Sequence, residues 1–127
     1  MDSIILDIDG TICPIKKSNE NYEDLIPSKD MINKIKDLKH EGFKIILFTS
    51  RNMRTFNNDI EKIKKYTKPI LENWLKKWGI PYDDLVFGKP WPGKNGFYVD
   101  DKAIRPEELL KFNLSDINKI IKKEGDL

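Results

Sequence analysis

One cysteine and one histidine are all that 127 residues offer of thiolate and imidazole metal ligands. Cys13, standing alone, has no partner for an intramolecular disulfide. With His40 it falls short of the four nitrogen and sulfur ligands of a structural zinc site. Any nucleophile–histidine pair would have to use His40, which lies in the Lys-rich stretch Ile35 to Gly42 and reads as the solvated face of a helix. No apolar run approaches the ~20 residues a membrane helix needs. The start, Met1-Asp2-Ser3, carries neither a basic n-region nor a long h-region. A cytoplasmic protein with no membrane partner is therefore expected. An excess of one charge is also missing. Lys and Arg number 23 against 21 Asp and Glu, a net +2, without the basic stripe expected of a nucleic-acid binder.

What is present is an alternation of short apolar runs with longer helical patterns. Ser3 to Ile8, Phe43 to Phe48, Leu85 to Phe87 and Phe97 to Val99 read as strands one to four. Ser28 is a plausible N-cap for a helix whose apolar positions are Met31, Ile32, Ile35 and Leu38. Thr67 looks like a second cap, with Pro69 in the first turn and Ile70, Leu71, Trp74, Leu75 and Trp78 on one face. Pro106 opens a last helical region. Cys13–Pro27 and Arg51–Lys68 are polar, flap-sized connections. There is no internal repeat or linker, so one domain, residues 1–127, is expected, of the α/β class with a mainly parallel sheet.

Ligands of such sheets bind at the carboxyl ends of the strands. Asp7 and Asp9 follow the first strand, Thr49, Ser50 and Arg51 the second, Lys89 the third, Asp100 and Asp101 the fourth. Carboxylates gathered on one edge repel unless a cation sits between them, and oxygen ligands suit Mg²⁺ beside a phosphate. An ionised aspartate can attack phosphorus to form an acyl phosphate. A second carboxylate can protonate the leaving oxygen and then activate water. A hydroxyl and a lysine can hold the phosphoryl oxygens.

Ile4 to Thr11, an apolar strand followed by DxDGT, resembles the first motif of the haloacid dehalogenase (HAD) superfamily of phosphohydrolases. Leu47-Phe48-Thr49-Ser50, Lys89 in Phe87-Gly88-Lys89-Pro90, and Tyr98-Val99-Asp100-Asp101 resemble its second, third and fourth motifs, in order. The resemblance implies a three-layer Rossmann-like sandwich, here without room for a cap domain. It implies Asp7 as nucleophile and metal ligand, and Asp9 as general acid/base that also meets the metal. Thr49 and Lys89 would hold the phosphoryl group, Asp101 would ligate Mg²⁺, and Asp100 would orient Lys89 or a metal-bound water. The runs FTSRNMRT, FGKPW and GFYVDDKAIRP further resemble short HAD proteins associated with capsule and surface-polysaccharide synthesis.

One departure concerns the connection. Only Pro90 to Gly96 separates Lys89 from the fourth strand, where a parallel crossover normally takes a dozen residues or more. Lys102 is therefore the alternative to Lys89. Lys16, Lys17, Arg51 and Arg54 are placed to meet a compact anion, with Ser50 beside them and Trp91 as a wall. The expected substrate is a small phosphorylated metabolite such as a sugar or polyol phosphate, and a homo-oligomer would cover an open site. Three other readings remain: a nucleotide or polynucleotide-end phosphatase, a receiver-like phospho-aspartyl signalling module, and a catalytically dead HAD-like binding protein. The receiver reading wants its phosphorylated Asp after strand three, where this chain has Gly88-Lys89.

Overall fold

Three parallel strands carry the first part of the chain. The computed structural model describes residues 2–125, which divide into two compact units, Met1–Trp91 and Pro92–Leu127. In the first unit, β1 (Ser3–Leu6), β2 (Lys44–Thr49) and β3 (Asp84–Phe87) form a sheet in the order β1-β2-β3. Both pairings are parallel, with Leu6 opposite Leu47 and Leu47 opposite Leu85. Helices connect the strands, as parallel pairing requires, so the α/β Rossmann-like reading holds. Side chains alternate along each strand. Leu6, Ile45, Leu47 and Thr49 are buried on one face, whereas Ile5 and Val86 on the other are 62% and 41% exposed.

The first crossover contains α1 (Lys29–His40). The Ser28 hydroxyl accepts the Met31 amide at 3.1 Å, which caps an orphan donor of the first turn as expected. Met31, Ile32, Ile35 and Leu38 enter the core, and His40 is exposed. The second crossover is a continuous helical run. It comprises α2 (Ile60–Lys62), a π-helical segment (Ile63–Thr67) and α3 (Lys68–Lys77). α3 starts after Thr67 with Pro69 in its first turn, as expected, but Thr67 is itself helical and makes no side-chain capping bond. Asp59 caps the run by accepting from the amides of Glu61 and Lys62. Pro69 lacks an amide, and its ring would crowd the Lys65 carbonyl four residues back. A widened π turn lets the helix pass that point without a break. Thr67 instead donates its hydroxyl to the Asn52 side-chain carbonyl at 2.7 Å.

Asp83 fastens the start of β3 to its neighbours. It accepts the Ile45 amide at 2.7 Å and Lys39 at 2.8 and 2.9 Å. The Lys39 bond, then the amide, hold its carboxyl below the usual range. Trp74 is 2% exposed and donates its indole N–H to the Leu25 carbonyl, so α3 anchors the end of the Cys13–Pro27 loop.

The second unit contains α4 (Pro106–Lys111) and α5 (Leu114–Gly125), with Leu109 and Ile117 buried. Pro106 does open the last helical region. The expected fourth strand, Phe97 to Val99, does not form. β-Forming side chains are not enough, because a strand exists only where its backbone groups find a neighbouring ladder. Phe97 and Val99 are 80% and 88% exposed. Among the described residues three strands, not four, deliver polar residues to the carboxyl edge. No described helix is long and apolar enough to cross a membrane.

Candidate active site

The turn after β1 is built to hold two carboxylates apart from the core. The Ile8 carbonyl accepts three successive amides, from Thr11, Ile12 and Cys13, at 3.1, 2.8 and 3.2 Å. Gly10 closes the turn by donating to the Cys13 carbonyl at 2.7 Å, with a φ of +90° that side chains rarely permit. Ile8 and Ile12 are fully buried and anchor the loop. Asp7 and Asp9 flank Ile8 and stay partly open, with side chains 28% and 21% exposed.

Asp7 meets Lys89. The ammonium lies 3.4 Å from Oδ1, and the Thr11 hydroxyl sits 3.5 Å from Oδ2. Lys89 reaches this point because Gly88, at φ +88°, turns the chain as it leaves β3. A Cβ at Gly88 would lie 3.0 Å from the Ile60 Cδ1. The Lys89 amide then donates to the Thr49 carbonyl at 3.1 Å, extending the β2–β3 pairing by one bond. Burial pushes the Asp7 carboxyl above its usual range, with Lys89 opposing the shift.

Asp9 is gripped by Arg51. Nε and Nη2 donate to the two carboxylate oxygens at 3.1 and 2.8 Å, a bidentate pair. The Arg51 side chain is only 1% exposed, and its guanidinium lies 4.2 Å from the centre of the Tyr22 ring. The Arg51 amide donates to the Thr49 hydroxyl at 3.0 Å, which fixes that buried oxygen at the end of β2. Arg51 Nη1 is buried and has no hydrogen-bond partner. Arg51 also lines a cavity of about 230 Å³ whose walls include Tyr22, Phe56, Tyr66 and Thr67. The sequence places Arg51 among substrate contacts. The structure adds an ion pair with Asp9 that local sequence could not show, since the two residues are 42 positions apart. Tyr22 is absent from the sequence-based site because nothing in a polar loop distinguishes it. Its hydroxyl is pushed up by burial, then by Asp9.

Arg54 stacks 5.3 Å from the centre of the Trp91 ring at the end of the first unit. Ser50 is half-buried, and its carbonyl accepts the Met53 amide. Lys16 lies 5.4 Å from the centre of the Tyr22 ring. Lys17 is exposed, with its amide donating to Glu20. Asp100, Asp101 and Lys102 belong to the second unit and are exposed. The Lys102 amide donates to Asp100 Oδ1 at 3.0 Å, and this bond leads the causes that hold Asp100 below its usual range.

A magnesium ion wants oxygen ligands with free lone pairs. In the first unit Asp7 offers them, while both oxygens of Asp9 are occupied by Arg51. Among the described residues no three His, Cys, Asp or Glu side chains converge as a metal group would require. These residues do not by themselves complete a magnesium site, and no chemical step below is routed through a metal.

Cys13 illustrates what the same surroundings do to a thiol. It is 4% exposed, with Sγ 3.6 Å from Asp9 Oδ1. Burial first, then the Asp9 charge, push it up to about 12. Cys13 is therefore expected to be inert. A thiol-specific disulfide reagent at pH 8 should label the native protein at least ~100-fold more slowly than the urea-unfolded chain. Equal rates would show that the loop opens freely.

Comparison with known proteins bears on the fold and the family. A family model described as haloacid dehalogenase-like hydrolase matches residues 4–74, which contain β1, β2, Asp7, Asp9 and Thr49. A crystal structure of a Vibrio cholerae protein is 40% identical, covering 98% of this chain and 99% of that one, with a TM-score of 0.92. A chain in the structure of a Pnkp1/Rnl/Hen1 complex is 23% identical over 87% of this chain and 34% of that one, with a TM-score of 0.52, a likeness of fold alone. No curated protein matches. More than half of the chain fits the family model and nearly all of it overlays the Vibrio cholerae structure, so the chain belongs to the haloacid dehalogenase-like hydrolases.

Proposed function

We propose that this hydrolase cleaves phosphate monoesters of small metabolites through an aspartyl-phosphate on Asp7. The observation that carries the reading is the pairing of Asp7 with Lys89 at the carboxyl edge of the sheet, where both side chains stay partly exposed. In the first step an Asp7 oxygen bonds to phosphorus as the bond to the ester oxygen breaks, and Asp9 gives that oxygen a proton. In the second step Asp9 takes a proton from water, whose oxygen bonds to phosphorus as Asp7 leaves. Inorganic phosphate is the product. Lys89 and the Thr49 hydroxyl would hold the charge on the phosphoryl oxygens. Arg51 aims the Asp9 carboxylate. Because its fork occupies both oxygens, one must be released when Asp9 carries a proton.

Mg²⁺, when bound, would neutralise the charge of phosphate and carboxylates together. Asp7, Asp9, Asp101 and Asp100 are the ligands that the family resemblance implies.

The cavity beside Arg51 fits a compact organic group. Its aromatic walls suit the apolar face of a sugar or polyol. Arg54 and Trp91 would border the phosphate side. A cytoplasmic role in surface-polysaccharide synthesis fits this chemistry. The test is phosphate release from a panel of sugar and polyol phosphates, phosphopeptides and end-phosphorylated oligonucleotides, each with Mg²⁺ and with EDTA. At least one small metabolite should exceed every polymer by ~10-fold or more in kcat/KM, with activity lost in EDTA. Polymers ahead by that margin would overturn the substrate class, and full activity in chelator would overturn the metal dependence.

A further inference from the structure

We propose that the cavity walled by Tyr22, Arg51, Phe56 and Tyr66 is the subsite for the alcohol part of the substrate, and that it takes a single sugar ring by its apolar face in preference to an open polyol chain. The inference deepens the proposed phosphatase reading and rests on it for its catalytic meaning. The binding preference has its own grounds in the cavity.

The cavity lies on the side of the site where the leaving group belongs. Asp9 gives its proton to the ester oxygen in the proposed first step, so the alcohol departs on the Asp9 side. Arg51 connects the two places. It donates to both Asp9 oxygens, at 3.1 and 2.8 Å, and it also lines the cavity. The Tyr22 ring, its centre 4.2 Å from the Arg51 guanidinium, lines the cavity too.

The lining suits a flat apolar surface. Asn52 and Thr67 are polar, but the Thr67 hydroxyl donates to the Asn52 side-chain carbonyl at 2.7 Å, and the Asn52 side-chain amide donates to Thr55 at 3.2 Å. These bonds commit both groups within the protein and pin the loop after β2 to the π-helical segment. The loop bends sharply to get there, with Asn52, Asn57 and Asn58 at φ of 61°, 51° and 64°. Phe56 stands among those bends, its ring centre 5.8 Å from that of Tyr66. Aromatic surface therefore dominates what the cavity offers. A pyranose or furanose presents a face of C–H bonds to such rings, with its hydroxyls around the rim. Tyr66 and Ile70 are 51% and 40% exposed, so the rim hydroxyls can keep water on that side. An open polyol chain has no flat face and loses more rotational freedom on binding. The volume of about 230 Å³ is below the roughly 300–1,000 Å³ of pockets for drug-sized ligands, so it has room for one ring and not for a whole nucleoside.

Matched substrates test it: glucose 6-phosphate against sorbitol 6-phosphate, and ribose 5-phosphate against ribitol 5-phosphate. Each pair has the same carbon number and charge and differs in the ring. In at least one pair the wild-type protein with Mg²⁺ should favour the ring by ~10-fold in kcat/KM, the order of one good aromatic contact. Phe56→Leu keeps much of the apolar volume and removes the ring face, and should bring that ratio below about 3. Should Phe56→Leu fail to fold, Tyr66→Leu at the exposed rim gives the same readout. A ratio unchanged in the folded variant would overturn the inference. Calorimetry on Asp7→Asn should show the same ring preference in Kd, without turnover. Ring and chain hydrolysed with equal kcat/KM would overturn the subsite and leave the phosphatase standing. Preferential binding of the ring to Asp7→Asn, with no phosphate released by the wild type, would reject the proposed function and leave the subsite standing. No preference in either measurement overturns the inference.

Discussion

Asp7→Asn is expected to leave a folded protein with less than about a thousandth of the wild-type kcat on its best substrate. An amide cannot form the acyl phosphate, and losing a nucleophile removes the whole covalent route rather than one contact. The fold should not suffer. Burial disfavours the ionised Asp7 carboxylate in the native protein, with Lys89 opposing. A folded-state value raised in this way contributes stability below the ordinary carboxylate range and loses it as pH rises through the folded value. An amide does not carry that charge, so the thermal midpoint of the metal-free protein should hold or rise once the pH is high enough to ionise the wild-type carboxyl. The checks are single-turnover phosphate release and thermal melting at pH 7. More than about a tenth of wild-type activity in a protein with native circular dichroism would remove Asp7 from the role.

Arg51→Met is expected to cost both stability and rate. The guanidinium is buried against Asp9, so removing it leaves a partly buried carboxylate without its fork. Breaking a fully buried pair costs several kcal/mol. Asp9 keeps some solvent, which brings the expectation to about 2–3 kcal/mol. The rate should fall by roughly 10–100-fold, since Asp9 loses its orientation for proton transfer. A second substitution separates the two effects. Adding Asp9→Asn to Arg51→Met removes the stranded charge and should recover much of the stability, while activity stays low. Urea midpoints and kcat/KM on the four proteins of the cycle decide it. Unchanged stability in Arg51→Met alone would show that the pair does not hold the site together.

The two residues differ in how they could be read. Asp7 was legible because its signal is local. An apolar strand ending in acids, then a glycine and a threonine, specifies both the buried run and the turn that aims the carboxylate. The same holds for Thr49 at the end of β2 and for the Ser28 cap, where each residue's role follows from neighbours a few positions away. Lys89 was half legible. Its place after β3 follows from the strand pattern, but the 3.4 Å approach to Asp7 depends on β3 lying two strands from β1, with Gly88 turning against Ile60. Arg51 and Tyr22 were not legible as partners of Asp9, because neither spacing nor periodicity relates loops so far apart in the chain.

The sequence by itself determined the elements whose causes are short-ranged. These are the three parallel strands, the capped α1, the turn that carries Asp7 and Asp9, and the helical end of the chain. Backbone hydrogen bonding and side-chain alternation act over a few residues, so a linear pattern contains them. Tertiary structure alone decided the rest. It drew the helical run through Pro69 by way of a π turn, tied Asp9 to Arg51 and Tyr22, and left Phe97 to Val99 without a strand. The last case shows the limit most clearly. The residues have the composition of a buried strand, but a strand needs a neighbouring ladder for its backbone groups, and no local pattern supplies one.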